Sequence, residues 1–513
     1  MELKLKNNRE KRDSIIPLLS CALIVAIASI VYELIIGGIS SYLLGNSVYQ
    51  FSITIGLFMT AMGLGSLFSK YIEKNLISKF IYIEIMLALV GGASGLILFY
   101  SYAVLGFYLP IMFLMIMVIG IMTGFELPLM TRIIRSYGDL KDTLANTTAA
   151  DYIGGLVGSV IFPIMLLPNL GFIKTSYIVG VLNILVAAYL VIKYRDNIRN
   201  LKLIVITVIL VFSLLIIGIF TVPESEAFLE RRLYRDKIVL SQQSEYQKIV
   251  ITEKRDDLRL FLDGNIQFST KDEYRYHEAL VHPAFSSLDK KDKVLVLGGG
   301  DGLAIKEILK YSDVKKIDLV DLDKAVTDLA QQSKYLLKYN QDSLNHKKVR
   351  IINQDAYQYV EDCKQKYDLV VIDLPDPNNE SLNKLYTVAF YRQIYEHLNN
   401  KGAIVAQSTS PYFAPEVFWI IHNTIKQAGF KTRPYHAYVP SFGDWGFNIG
   451  TKGYSFNPSS VDLSVETKYL TDDKLEKLFV FGRDIMEKKQ DTVNTLIRPI
   501  LIRAYYNAWE DYN

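Results

Sequence analysis

Residues 293–302 read Lys293-Val-Leu-Val-Leu-Gly-Gly-Gly-Asp-Gly302, and an apolar helical pattern follows from Leu303. The run Val294–Leu297 is typical of a parallel strand that is covered on both faces. The glycines remove side chains where backbone approaches a ligand, and the next helix offers free N–H groups at its start. A glycine turn alone is a weak signal. Asp301 is more informative, because a carboxylate here repels a pyrophosphate and attracts a cationic ligand.

The segments around this turn alternate between strands and helices, which predicts a doubly wound, mostly parallel sheet. We predict parallel strands at 293–298, 317–322, 349–354, 367–374 and 403–407. We predict helices at 303–311, 325–339, 385–398 and 415–428. A lead of antiparallel strands (246–252, 258–264, 265–268) and a helix near 272–283 come first. In such sheets, ligands bind outside the carboxyl ends of the strands.

Four of the predicted strands carry an aspartate at the carboxyl end: Asp301, Asp321, Asp355 and Asp373, the last followed by Asp376. Asp321 lies about 20 residues beyond the glycines, where an acid grips ribose hydroxyls. Asp355 is placed to reach an adenine amino group. A single aspartate is often only a helix cap or a turn residue. Together the four indicate a negatively charged cleft for an adenosine-containing cation, alone or with a second cation.

The first part of the chain is much more apolar than the rest. At 513 residues the chain is too long for one domain, and its 50% hydrophobic content is concentrated before residue 223. A membrane-spanning helix needs about 20 apolar residues. We therefore predict an α-helical membrane domain over 1–222, with about seven spans at 15–44, 48–68, 80–102, 108–130, 147–167, 171–192 and 201–222. A linker (223–237), the β-rich lead (238–285) and the α/β domain with a helical tail (286–513) follow.

Charge and cysteine content exclude several classes of site. The net charge of +3 comes with no basic stripe, so we expect no nucleic-acid partner. The two cysteines, Cys21 and Cys363, have neither zinc spacing nor the pattern of a disulfide framework.

Several motifs together resemble the polyamine aminopropyltransferases, the spermidine synthase family. The resemblance covers roughly 238–453, and the combination of motifs is specific although each piece alone is not. A tail motif, Val493-Asn-Thr-Leu496 with Pro499 and Tyr505-Tyr506, resembles a membrane-bound bacterial branch of the family. The matching pieces are Gln247, Leu262-Asp-Gly-Asn-Ile-Gln267, Asp272-Glu-Tyr-Arg-Tyr-His-Glu278, Gly298-Gly-Gly-Asp-Gly302, Asp321-Leu-Asp323, Gln354-Asp355 and Asp373-Leu-Pro-Asp-Pro377.

The resemblance implies a Rossmann-like (class I methyltransferase-like) domain that transfers an aminopropyl group. The donor is decarboxylated S-adenosylmethionine and the expected acceptor is putrescine, which gives spermidine and methylthioadenosine without a metal. The implied cofactor residues are Gln247, Gly299, Asp301, Asp321, Asp355 and Ala356, with Asp321 on the ribose. The implied amine-side residues are Gln267, Tyr276, His277, Asp301, Asp373 and Asp376, with Asp373 as the proton acceptor.

Electrostatics explain why the donor is decarboxylated. Ordinary S-adenosylmethionine keeps a carboxylate, which Asp301 repels, whereas an aminopropyl group ends in an ammonium, which Asp301 attracts. Like charges ~4 Å apart cost about 4 kcal/mol at an effective dielectric of 20. One residue can therefore supply much of the discrimination.

The departures from the family pattern lie on the amine side. Leu374 and Pro375 stand where small polar residues are usual, Phe442 stands where a tyrosine is usual, and 407–410 lacks an acid that some members carry. The acceptor is therefore less determined than the donor. Two alternatives stay open: a methyltransferase that uses S-adenosylmethionine, and a polyamine transporter or sensor whose synthase-like domain only binds.

Glu33, Glu126 and Asp151 lie inside the predicted membrane domain. Intramembrane charge is costly and points to function, here the binding of a polyamine cation, although residues at helix ends are the simpler interpretation. The loop charges place the N-terminus in the cytoplasm, so seven spans would place the catalytic domain outside. Cofactor supply favours a cytoplasmic domain at the cell membrane, and the sequence leaves this conflict open. The resemblance also allows a homo-oligomer formed through the synthase domain.

Overall fold

The computed structural model describes residues 2–45, 47–137, 139–234, 236–460, 462–486 and 492–510. The chain divides into two compact units, Met1–Arg235 and Asp236–Asn513. The division falls inside the predicted linker, most of which forms a helix. The N-terminal unit consists of α1 (Glu2–Leu44), α2 (Ser47–Ser69), α3 (Leu76–Tyr100), α4 (Tyr108–Ile134), α5 (Leu140–Ile161), α6 (Leu167–Lys193), α7 (Leu201–Phe220) and α8 (Val222–Tyr234).

Six helical segments in the described part of this unit are long and apolar enough to cross a membrane, whereas the sequence predicts seven. The difference lies in residues 140–193, which form one continuous 54-residue segment containing α5 and α6. Within it, α5 runs in the same direction as α1. Gly154 packs against Ala26 and Gly158 packs against Ile30. Because these contacts follow the same chain order in both helices, the two helices are parallel.

The second half of this segment runs the other way. Gly171 has φ 69° and ψ −179°, which breaks the helical conformation and reverses the chain. Gly38 packs against the ring of Phe172, whereas Tyr32, earlier in α1, hydrogen-bonds Asn183, later in α6. The two predicted spans are therefore two antiparallel helices, and the six segments contain seven helices, α1 to α7.

The interior of the N-terminal unit contains two buried carboxyl groups, Glu84 on α3 and Glu126 on α4. Asn183 Nδ2 donates to Glu84 Oε2 over 2.9 Å, and Ser29 Oγ donates to Glu126 Oε2 over 2.8 Å. The Oε1 atoms of both carboxyl groups are buried without a hydrogen-bond partner among the described residues. Glu126 was among the predicted intramembrane acids, and Glu84 was not.

Glu33 and Asp151, the other predicted intramembrane acids, are only half-buried. The structure does not bring them into hydrogen-bond contact with the Glu84–Glu126 pair, although the charge of Asp151 acts on Glu126. Binding of a polyamine by these groups stays a prediction.

The C-terminal unit begins with the predicted antiparallel lead. Its four strands pair in chain order: β1 (Lys237–Gln243), β2 (Lys248–Lys254), β3 (Asp257–Leu262) and β4 (Asn265–Ser269). The turn between β3 and β4 is made by Asp263 and Gly264, both with positive φ, as the Asp-Gly pair predicts.

The second sheet has seven strands in the order β10-β11-β9-β8-β5-β6-β7. Five of them are parallel, and the β10–β11 hairpin adds an antiparallel edge that the sequence analysis missed. The strands are β5 (Lys293–Gly298), β6 (Lys316–Asp321), β7 (Val349–Asn353), β8 (Tyr367–Asp373), β9 (Leu398–Gln407), β10 (Lys431–Val439) and β11 (Gly443–Thr451).

Helices cover this sheet. The predicted helix at 325–339 is two helices, because Ser333 has an extended backbone and caps the second. The helices are α9 (Glu273–Ser286), α10 (Leu303–Ile308), α11 (Lys324–Gln332), α12 (Lys334–Asn340), α13 (Ala356–Asp362), α14 (Glu380–Asn383), α15 (Val388–Glu396), α16 (Pro415–Gln427), α17 (Asp472–Lys477) and α18 (Ile500–Glu510).

Strand β5 is buried on both faces, as its uninterrupted apolar run predicts. Val294 and Val296 belong to one hydrophobic core cluster, and Leu295 and Leu297 belong to the other. From β5 the chain passes to β6 and β7 on one side and then returns to β8 on the other. The carboxyl ends of β5 and β8 therefore form the point where the strand order reverses, which is where ligands bind in such sheets.

Candidate active site

The glycine turn brings the end of β5 against the end of β8. Gly298 and Asp373 are register partners across the two strands. Gly298 has φ 79°, and a Cβ at this position would lie 2.1 Å from the carbonyl oxygen of Asp373. Gly299 has φ 68°, and a Cβ there would lie 2.9 Å from Asp373 Oδ2. Only glycine allows this close approach, so the turn packs directly against Asp373.

Asp301 lies in the same turn, between the glycines and α10. Its Oδ1 accepts the backbone N–H of Leu303 over 2.9 Å, and its carbonyl oxygen accepts Asn340 Nδ2 over 3.0 Å. Burial raises the pKa of Asp301, and the nearby His277 and the Leu303 N–H partly offset this. The side chain is therefore oriented, and a bound cation would stabilise its charged form.

Asp321, at the end of β6, holds the other side of the turn. Its Oδ2 accepts the N–H of Gly300 over 3.0 Å and its Oδ1 accepts the N–H of Asp323 over 2.9 Å. Burial nevertheless raises the pKa of Asp321 to about 6. The two backbone donors orient this carboxyl beside the glycine turn, where the sequence predicts a ribose.

Gln247 joins the β-rich lead to this nucleoside side. Its Nε2 donates to Asp323 Oδ2 over 3.0 Å, and Ser244 Oγ donates to the same oxygen over 2.6 Å. Asp323 also caps α11 by accepting the N–H of Ala325. The structure thus places Gln247 next to the acidic end of β6, as expected of a residue on the nucleoside side.

Asp355 and Ala356 follow β7, at the start of α13. Asp355 Oδ1 accepts the N–H of Gln358, and Oδ2 pairs with Lys384 Nζ at 2.7 Å. Burial acts to raise the pKa of Asp355, but Lys384 and the Gln358 N–H outweigh it and lower the pKa. The sequence analysis missed Lys384, which no spacing rule connects with 355.

On the amine side, Asp373 is bound by a tyrosine from α9. The Tyr276 hydroxyl donates to Asp373 Oδ1 over 2.6 Å. Burial raises the pKa of Asp373 to about 6. The positive charge of His277 acts to lower this pKa, and the negative charge of Asp301 acts to raise it. A carboxyl with a pKa near neutrality is suited to accept a proton from a substrate.

His277 supplies a positive charge close to these acids. Its Nδ1 lies 3.1 Å from Glu273 Oε2, and Lys306 Nζ lies 2.8 Å from Glu273 Oε1. Burial lowers the pKa of His277, but the hydrogen bond and charge of Glu273, with Asp301 and Asp373, outweigh it and raise the pKa to about 9. Glu273 and Lys306 were not predicted, although 273 lies inside the quoted motif.

Asp376 lies in the loop after β8 and is bound by neutral donors. Thr409 Oγ1 donates to Oδ2 over 3.0 Å, and Gln407 Nε2 lies 3.3 Å from Oδ1. Burial raises the pKa of Asp376 to about 6, and these donors partly offset it. Neither partner was predicted. Gln407 ends β9, so a search for polar side chains at the carboxyl ends of strands, as made for the aspartates, would have identified it.

Gln267, on β4, donates from Nε2 to the carbonyl oxygen of Asn265 over 3.1 Å. Its predicted place in the amine cleft stays a prediction. Within the described residues, no group of three or more His, Cys, Asp or Glu side chains could hold a metal ion.

Comparison with known proteins decides the family. A family model described as spermine/spermidine synthase domain matches residues 273–459. A polyamine aminopropyltransferase of Oceanobacillus iheyensis is 42% identical over 95% of this chain and 96% of its own length. The chain belongs to the polyamine aminopropyltransferase family. It is therefore an enzyme, and aminopropyl transfer is its reaction class.

A second full-length relative supports the assignment, and one solved structure is also similar. A polyamine aminopropyltransferase of Leptospira interrogans is 42% identical over 95% of this chain and 97% of its own length. A crystal structure of spermidine synthase in complex with the transition state analogue AdoDATO is 29% identical, with a TM-score of 0.45, and covers 48% of this chain and 86% of that one. The matches with the two full-length relatives extend over the N-terminal unit as well as the synthase domain.

We predict that the aminopropyltransferase activity rises with pH through about pH 6, because the Asp373 carboxyl must lose its proton before it accepts another. Asp301→Asn removes a negative charge that helps to raise the pKa of Asp373, so the acid limb of kcat/KM should move to lower pH. The control is Asp362→Asn, an exposed carboxyl on α13. An acid limb that does not move in Asp301→Asn would contradict the assignment of Asp373 as the proton acceptor. The apparent pKa of this limb is a property of the whole cluster of acids.

Proposed function

We propose that this enzyme transfers the aminopropyl group of decarboxylated S-adenosylmethionine to putrescine, giving spermidine and methylthioadenosine. The observation that carries the proposal is the position of Asp301. It lies in the glycine turn, in which Gly300 donates to Asp321 and Gly299 lies against the amine-side acid Asp373. A ligand that spans this cleft needs a nucleoside at one end and a positive charge near Asp301, which fits this donor.

The proposed reaction is a displacement at the methylene next to the sulfonium. The free electron pair of the amine nitrogen forms the new N–C bond while the C–S bond breaks, and methylthioadenosine leaves as a neutral molecule. The proton lost by the amine passes to Asp373. Tyr276 holds the Asp373 carboxyl in one orientation, and Asp376 binds the amine, so positioning supplies much of the rate enhancement.

The direct test is to incubate the purified full-length protein with decarboxylated S-adenosylmethionine and putrescine and to measure both products. We expect stoichiometric methylthioadenosine and spermidine, and an Asp373→Asn variant about 10²- to 10⁴-fold slower in kcat. Asp362→Asn should retain full activity. No methylthioadenosine with putrescine or with longer diamines would overturn the proposed donor and acceptor. Full activity in Asp373→Asn would remove only the role of Asp373.

Cofactor discrimination tests the role of Asp301 separately. Wild type should bind decarboxylated S-adenosylmethionine much more tightly than S-adenosylmethionine, since the carboxylate of the latter lies near Asp301. In Asp301→Asn the ratio of the two dissociation constants, measured by calorimetry, should fall about tenfold or more. An unchanged ratio would contradict the electrostatic explanation, and tighter binding of S-adenosylmethionine by wild type would favour a methyltransferase.

We further propose that the N-terminal unit lies in the cell membrane and that the synthase domain faces the cytoplasm. The long apolar segments support insertion, and cofactor supply supports the cytoplasmic side. With the seven helices α1 to α7, this proposal puts the N-terminus outside, against the distribution of loop charges. In right-side-out and inverted vesicles, added protease should cleave the synthase domain only in the inverted ones. Cleavage in right-side-out vesicles would place the domain outside, and release of the protein by alkaline carbonate would contradict insertion.

A further inference from the structure

Lys306, Glu273 and His277 form a chain of buried charges beside the active site. Lys306 Nζ donates to Glu273 Oε1 over 2.8 Å, and Glu273 Oε2 lies 3.1 Å from His277 Nδ1. The exposed fractions of the three side chains are 9%, 8% and 2%. Because a buried ion pair is often no more stable than apolar side chains in its place, this chain points to a role in the site.

The contacts of His277 fix the position of one ring proton. Its Nδ1 lies 2.8 Å from the carbonyl oxygen of Glu273 as well as 3.1 Å from the carboxyl oxygen. A carbonyl oxygen only accepts, so Nδ1 carries a hydrogen and donates it. Burial acts to raise the pKa of Glu273, but the hydrogen bonds and charges of His277 and Lys306 outweigh it and lower the pKa. The ionised carboxyl therefore favours the doubly protonated, cationic imidazole.

Lys306 connects this chain to the glycine turn. It lies in the first turn of α10, where its backbone N–H donates to the carbonyl oxygen of Gly302 over 2.9 Å. Its Nζ also lies 3.6 Å from Glu307 Oε1, and Glu307 Oε2 lies 3.0 Å from His282 Nε2. The ammonium group is thus held from α10, and it fixes the Glu273 carboxyl on α9.

The charged and titratable groups that act on His277 from other elements are the acids of the cleft. Asp301 in the glycine turn and Asp373 at the end of β8 both favour its charged form. Its neighbour Tyr276, whose ring centroid lies 5.0 Å away, donates to Asp373. In return, the His277 charge acts to lower the pKa of Asp373. Glu273 can therefore influence Asp373 through His277.

We infer that Glu273 is a positioning residue, which keeps His277 cationic and thereby helps to keep Asp373 ionised for proton transfer. The inference rests on the role of Asp373 proposed above. Without the Glu273 charge, burial favours the neutral imidazole. Lys306 belongs to the same arrangement, because it holds the second oxygen of the Glu273 carboxyl.

The test is the pH profile of kcat/KM for the amine in full-length Glu273→Gln. Glutamine keeps the shape of the side chain and can still accept from Nδ1, but it has no charge. If Glu273 acted directly on the other acids, its loss would move the acid limb to lower pH. Our inference predicts the opposite sign: a neutral His277 no longer lowers the pKa of Asp373, so the limb should move to higher pH by roughly one unit. This corresponds to about a tenfold loss of kcat/KM below the limb.

Glu307→Gln is the matched control, because it removes a buried carboxylate that contacts Lys306 and His282. It should leave the acid limb in place. His277→Gln should move the limb upward by itself, and Glu273→Gln added to it should give no further upward shift. A limb in Glu273→Gln that stays or moves to lower pH, or an equal shift in Glu307→Gln, would overturn the inference.

Two further outcomes separate the inference from other failures. If Glu273→Gln does not fold, His277→Gln decides, and an unmoved limb in that variant overturns the inference. A wild-type profile without an acid limb would instead overturn the role of Asp373 itself. A limb that is present in wild type and unmoved in both variants leaves the role of Asp373 intact and overturns only the positioning by Glu273.

Discussion

The burial of several carboxyl groups in one cleft is the constraint to which the rest of the synthase domain responds. The cleft at the ends of β5 and β8 brings together Asp301, Asp321, Asp373 and Asp376, and burial raises the pKa of each. Such a cluster costs free energy unless fixed donors or a cation compensate it. The backbone N–H groups of the glycine turn, the Tyr276 hydroxyl and the cationic His277 provide that compensation before any substrate binds.

The compensation differs between the two halves of the cleft. On the nucleoside side, backbone N–H groups bind Asp321, and a lysine neutralises Asp355. On the amine side, the described hydrogen-bond partners of Asp373 and Asp376 are neutral hydroxyl and amide groups. The arrival of a protonated amine at these two acids relieves part of the free-energy cost of burying them. The cleft is therefore suited to bind a cation.

The N-terminal unit also buries acids. Glu84 and Glu126 lie in an apolar interior, and each accepts one hydrogen bond from a neutral side chain. Their Oε1 atoms have no hydrogen-bond partner in the described part of the chain. The acids of this unit are therefore less fully compensated than those of the cleft, where several donors surround the carboxyl groups.

Much of this protein follows from local sequence alone. The apolar run of β5, the positive-φ glycines, the Asp-Gly hairpin and the long apolar helices are local features, because backbone conformation and burial pattern depend on neighbours in sequence. The site aspartates can also be identified from the sequence, because parallel strands bring their carboxyl ends to the same edge of the sheet. Their number and position pointed to a cationic nucleoside ligand before any contact was known.

Tertiary structure alone decided which groups meet. Lys384 pairs with Asp355, Asn183 donates to Glu84, and Tyr276 donates to Asp373. No periodicity encodes these pairs, because each depends on how separate helices and strands pack. The sequence analysis placed two spans on either side of the chain reversal within residues 140–193, and the backbone of Gly171 with the packing against α1 gives the exact site of that reversal. Sequence determined the residue types and their local geometry, and packing determined their partners and therefore their pKa values.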